Sequence, residues 1–80
     1  MMHKVKLYTT PSCPWCFRAK QFLSDHGIEF EEVDVSKDRA AALEMIEKSG
    51  QMGVPVLEIN GNIVVGFDVE KIKQLLNIKD

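Results

Sequence analysis

The sequence predicts an α/β domain in which a four-stranded mixed sheet is covered by helices, and three observations carry that prediction. A period-two strand pattern near the amino terminus leads directly into a helix-phased run and then into a second strand-like segment. An Asn60-Gly61-Asn62 hairpin signal sits between two short apolar runs. An amphipathic segment with a capping aspartate closes the chain.

The elements follow in order. Lys4 to Thr10 alternates Lys4, Lys6 and Tyr8 against Val5, Leu7 and Thr9, as a strand does. Pro14 suits the first helical position, where its fixed φ and missing N–H cost nothing. In the helix that follows, Trp15, Cys16, Ala19, Phe22 and Leu23 share one arc opposite Arg18 and Gln21, and Gly27 ends it as a left-handed cap. Ile28 to Val35 is a second strand, with a phase slip at Glu31-Glu32 read as a bulge. This β-α-β unit makes its two strands parallel with a right-handed crossover. Ser36 is read as the cap of a second helix that turns Ala42, Leu43 and Ile46 to one side and stops near Gly50. Pro55 to Ile59 and Ile63 to Val65 form the hairpin strands, and Asp68 caps a last helix with a Val69, Ile72, Leu75, Leu76 stripe.

Eighty residues make one domain, 1–80, with no room for a second core. A composition 45% apolar and 28% charged is that of a globular chain, and no apolar run approaches the roughly 20 residues that span a bilayer. Polar Lys4 and Lys6 interrupt the first hydrophobic run, so no signal-peptide layout is present and a cytoplasmic location is expected. Net charge is −2 with both signs interspersed, which gives neither nucleic acid nor an anionic membrane a surface to dock on.

The chemistry is concentrated in Cys13-Pro14-Trp15-Cys16, which holds the only two cysteines of the chain. One bridge over so short a loop is a poor structural staple, so a redox or metal role explains the pair better. Cys13 falls at a helix N-terminus, where unpaired N–H groups and the helix dipole favour a thiolate. Cys16, one turn deeper on the apolar arc, is expected to be less exposed and harder to ionise. Cys13 therefore attacks a substrate disulfide, and Cys16 resolves the mixed disulfide in an effectively intramolecular step. Pro14 and Trp15 fix the spacing, tune the thiolate and are candidate substrate-binding residues.

A metal reading competes. Tetrahedral zinc needs about four ligands, and beyond the pair the chain offers only His3, at its start, and His26, at the far end of the helix that Cys13 begins. A zinc site within one chain is not expected; a dimeric iron–sulfur module ligated through Cys13 stands as the second reading. Val54-Pro55 also has two readings, a strand-opening proline or a cis peptide that leaves the Val54 backbone to pair with an extended cysteinyl peptide. Gly66-Phe67-Asp68 is either ordinary punctuation before a helix or a close approach for a ligand carboxylate. Trp15 is core by phase or a substrate-facing ring by position. Met1, Met2, Met45 and Met52 are read as filler, and Glu29, Glu31 and Glu32 as a solvated face. Lys20 lies about two turns along from Cys13, too far for a strong direct effect.

Taken together, these landmarks resemble the glutaredoxins of the thioredoxin-fold superfamily. The resemblance runs from Tyr8-Thr9-Thr10-Pro11-Ser12-Cys13-Pro14-Trp15-Cys16 through Ala19-Lys20, Gly50-Gln51, Val54-Pro55 and Asn60-Gly61 to Gly66-Phe67-Asp68. It implies a sheet ordered 2-1-3-4, a cis-Pro55 facing Cys13, no bound cofactor, glutathione as a co-substrate and a monomer. Gln51, Val54, Gly66 and Asp68 keep part of the glutathione-binding pattern, and Pro14 after the nucleophile disfavours a cluster. There are departures: Thr10 stands where dithiol glutaredoxins usually carry a lysine, Gly53 replaces a usual threonine, and Val65 and Val69 replace a glycine and an aspartate. Losing one cationic contact removes about 1.5–3 kcal/mol of carboxylate binding. The Gly66-Phe67 ending and the missing lysine resemble the glutaredoxin-like electron donors of ribonucleotide reductase, which draw on thioredoxin reductase rather than glutathione. Either reductant, acting on disulfide-containing proteins, fits the sequence.

Overall fold

A computed structural model describes residues 4–78. Met1, Met2 and His3, and the readings attached to them, lie outside the described residues. The order is β1 (Val5–Thr9), α1 (Pro14–Asp25), β2 (Glu31–Asp34), α2 (Arg39–Ser49), β3 (Val56–Ile59), β4 (Asn62–Val65) and α3 (Val69–Leu76). The strands form one sheet ordered β2-β1-β3-β4, the order the resemblance implied. β1 and β2 run parallel, while β3 is antiparallel to both β1 and β4.

Both faces of the sheet are covered. On one face Val5, Leu7, Leu57, Ile59 and Val64 pack with Ala19 and Leu23 of α1 and Ile72 and Leu76 of α3. On the other, Tyr8 and Val56, opposite one another in register, pack with Met45 of α2. Tyr8 shares the side of Lys6, whose ammonium lies 5.5 Å from its ring centroid, but α2 covers that side at Tyr8, which is fully buried; Met45 fills the core there. Two buried faces blur simple alternation, because a strand covered on both sides has no polar side.

Local chemistry explains the turns. In the hairpin, Asn60 and Gly61 have φ of 51° and 89°. These are the left-handed values that a two-residue type I′ loop requires and that match the strands' twist. Asn62 consequently belongs to β4 rather than to the loop. Gly27, with φ 67°, follows α1, while the Ile28 N–H reaches back to Leu23 O at 2.9 Å.

Three expectations change. β2 is shorter than Ile28 to Val35 and carries no bulge: its pairing is continuous from Lys6↔Glu31 to Thr9↔Asp34. Ile28 and Phe30 instead lean on the α1/α3 core, so the phase slip marks the strand's true start. The cap of α2 is Asp38, whose carboxylate accepts the Ala41 N–H at 3.1 Å, not Ser36. Ser36 is taken by Asp34 Oδ1, which accepts its N–H at 2.9 Å and its hydroxyl at 2.6 Å. On α2 the buried pair is Ala41 and Met45; Leu43 is 59% exposed, and Ala42 and Ile46 lie at the edge of the contact.

Candidate active site

Cys13 is the N-cap of α1. Its backbone is extended (φ −99°, ψ 107°), and its sulfur accepts the Cys16 N–H at 3.1 Å. A serine oxygen does the same at other helix starts; here a sulfur occupies that place. Pro14 follows as the first helical residue. Cys16 lies beneath, 1% exposed. Burial, and secondly its hydrogen bond with Cys13, push its thiol up to about 12. Both sulfurs are thiols, with no bridge between them.

Opposite Cys13 stands the turn before β3. The Val54–Pro55 peptide is cis, and the Cys13 thiol points at Val54 O across 3.8 Å. β3 begins one residue later than Pro55, at Val56, and Pro55 O accepts the Gly66 N–H at 2.8 Å. That N–H is therefore committed within the protein rather than offered to a ligand. Asp68 serves as the α3 cap, accepting the Lys71 N–H at 3.3 Å. Gln51 is turned onto its own loop: its amide accepts the Gly53 N–H and donates to Gly53 O, both at 3.0 Å. Trp15 is 56% exposed, with the Arg18 guanidinium 4.9 Å above its ring.

The structure thus gathers Cys13, Cys16, Val54 and Pro55 at one point, with Pro14 and Trp15 on the adjoining helix tip. Gly66 joins them through Pro55. Gln51 and Asp68 turn their side chains to hydrogen bonds within the fold itself.

Beside the dithiol lies a groove of about 330 Å³ whose lining includes Thr9, Thr10, Cys13, Cys16, Lys20 and Glu32. Lys20 pairs with Glu32 at 3.1 Å, and the Thr9 hydroxyl donates to the same carboxylate at 3.1 Å. Glu32, read from sequence as part of a solvated face, is a wall of this groove. No local pattern marks it, because only the β1–β2 register brings it alongside the cysteines. Phe17 and Met52 are exposed apolar side chains, one next to Cys16 and one in the loop before Val54. Among the described residues, no three His, Cys, Asp or Glu side chains cluster as a metal site would require.

A family model described as glutaredoxin matches residues 5–64. The chain belongs to the glutaredoxin family. This glutaredoxin is 44% identical over 72 residues to an uncharacterized glutaredoxin-like 8.6 kDa protein in a rubredoxin operon of Clostridium pasteurianum, covering 90% of this chain and 96% of that one. It is 39% identical over 67 residues to glutaredoxin 3 of Escherichia coli, covering 84% and 81% respectively. Its fold superposes on the crystal structure of a mutant of the thioredoxin-like protein BC3987 with a TM-score of 0.88 at 39% identity, covering 94% of this chain and 96% of that one. It is a thiol–disulfide oxidoreductase built on the thioredoxin fold.

Proposed function

We propose that this glutaredoxin is an electron carrier that reduces protein disulfides, with Cys13 as nucleophile and Cys16 as resolving thiol. One observation carries the reading: a sulfur at the helix tip accepts an N–H, while its partner waits buried one turn below. The Cys13 thiolate attacks one sulfur of a substrate disulfide, forming a mixed disulfide and releasing one substrate thiolate. Cys16 then gives up its proton and attacks Cys13 Sγ. The second substrate thiol leaves with a proton, and Cys13–Cys16 ends oxidised by two electrons. Val54 and Pro55 line the docking side, with Trp15 and Pro14 at the rim.

What the site withholds supports a reading of the electron source. Thr10 supplies no cation, the Gln51 amide is bonded to Gly53, the Gly66 N–H to Pro55 O, and Asp68 to the α3 backbone. Such a site binds glutathione weakly, so thioredoxin reductase is the stronger candidate donor and ribonucleotide reductase the candidate acceptor. The same reading makes residues 1–80 one monomeric cytoplasmic domain, with no bound cofactor and no nucleic-acid or membrane partner. Among the described residues, no helix is long and apolar enough to cross a membrane.

Two substitutions test the division of labour. Cys13→Ser is expected to abolish exchange, and Cys16→Ser to accumulate a mixed disulfide with a protein substrate, visible by mass spectrometry. Full activity in the Cys13 variant rejects the scheme. For the donor, NADPH consumption is followed with glutathione and glutathione reductase, then with thioredoxin reductase alone. Faster turnover in the first assay refutes weak glutathione use.

A further inference from the structure

Gly53 is the one glycine among the five that needs a spatial explanation rather than a conformational one. The other four have positive φ, whereas the φ of Gly53 lies outside the left-handed region, so an alanine there meets no backbone strain. What a Cβ at position 53 meets is Gln51 Oε1, at 2.9 Å. That oxygen is there because the Gln51 amide clasps Gly53 at both its N–H and its C=O. The clasp rests on the end of α2: Ser49 Oγ lies 2.7 Å from Met45 O and 2.9 Å from Gln51 O, and it accepts the Gln51 N–H at 3.3 Å. The next residue along is Val54, whose carbonyl faces Cys13 Sγ at 3.8 Å.

We infer that Gln51 and Gly53 form a positioning latch, in which the Gln51 side chain fixes the orientation of the loop that presents Val54 to the nucleophile, and Gly53 is glycine to make room for it. The latch touches no reacting atom. It acts through Val54, by holding the surface against which a substrate disulfide must lie in line with Cys13. This rests on the proposed role of Cys13 and Val54. A loop released from the latch still closes over the site, but it samples several orientations, and misplacement by even about 1 Å is costly for an in-line displacement.

The two residues act as one unit, so their substitutions are not additive. The test is a double-mutant cycle on Gln51→Ala and Gly53→Ala, read as kcat/KM for a peptide carrying a single disulfide. Each single variant is expected to lose about tenfold, the first by deleting the amide and the second by evicting it. The double variant is expected to lose no more than either. A second readout separates positioning from general damage: alkylation of Cys13 by iodoacetamide, which needs no docked peptide, is expected to fall by less than the exchange reaction. Thermal melting gives a third sign. Gly53→Ala lowers the Tm of the native sequence but raises it in the Gln51→Ala background, where only the entropy of the unfolded chain remains to be affected.

Losses that multiply in the double variant overturn the latch, as does an equal fall in alkylation and exchange. So does a Gly53→Ala effect on Tm that is the same in both backgrounds. These outcomes are read on a protein whose native sequence is active, so they are distinct from failure of the Cys13 scheme, which shows as activity surviving Cys13→Ser.

Discussion

At the scale of single residues, the two sulfurs differ by one helical turn and by almost everything that follows from it. Cys13 sits in the mouth of the helix and accepts an N–H; Cys16 is sealed under it, and burial raises its thiol from an ordinary value near 9 to about 12. That shift ties stability to pH with a definite sign. Below pH 9 the Cys16 thiol is protonated whether the chain is folded or not, so it contributes no pH dependence. Between about 9 and about 12 the unfolded chain releases this proton and the folded chain keeps it, so stability falls as pH rises. In denaturant titrations of the reduced protein, stability is expected to drop more steeply above pH 9 than in Cys16→Ser. The excess slope approaches about 1.4 kcal/mol per pH unit at most. Parallel slopes for the two proteins would show that Cys16 ionises as easily folded as unfolded. The contrast between the cysteines was legible in the sequence because it depends only on position within one helix. The fate of Gln51 was not, because it depends on the shape of the loop and on a missing Cβ two residues away.

Among the elements, the hairpin and α2 show where local signals suffice and where they compete. Asn60-Gly61 admits one good solution, a two-residue type I′ loop, and the chain takes it. The start of α2 offered two capping side chains two residues apart, and the choice between them was made by a third residue. Asp34 captures Ser36 in a tight turn, which leaves Asp38 to receive the Ala41 N–H. Moving the start also moves the face: Met45 turns inward and Leu43 outward. Asp38→Ala is therefore expected to destabilise the protein by about 1 kcal/mol, the usual worth of an N-cap. Ser36→Ala, on an exposed turn, is expected to cost less, about 0.5 kcal/mol. Chemical denaturation of both variants checks the order. A larger loss in Ser36→Ala would return the cap to the place the sequence suggested.

Across the whole molecule, the sheet is covered unequally, and this inequality sets which part opens first. Among the described residues, one face is built from nine mutually packed buried residues and two helices. The other has three, Tyr8, Val56 and Met45, and a single helix. On that second face the buried Tyr8 ring has the Lys6 ammonium 5.5 Å from its centroid, so the cover is partly polar. Much of what else holds α2 is surface charge, with Lys48 2.8 Å from Glu58 and 3.1 Å from Glu44, and Lys6 3.6 Å from Glu44. Exposed pairs of this kind contribute only about 0–1 kcal/mol each. The sequence revealed the mixed α/β layout but not this asymmetry, since Tyr8 and Met45 are assigned to a face only once β1 and β3 are in register. α2 is therefore expected to detach at a lower free energy than the β1–β3 centre, as the least supported cooperative unit. Native-state hydrogen exchange in increasing denaturant should show the α2 amides merging with global unfolding last, while Leu7 and Leu57 exchange only by global unfolding. Met45→Ala, which empties the middle of the smaller core, should lower α2 protection further at a cost of about 2–5 kcal/mol. Because Ser49 at the end of α2 braces the loop that leads to Val54, the same opening should expose that loop to proteolysis before any cut in β1 or β3. Equal protection in α2 and in the central strands would mean that both faces of the sheet unfold as one.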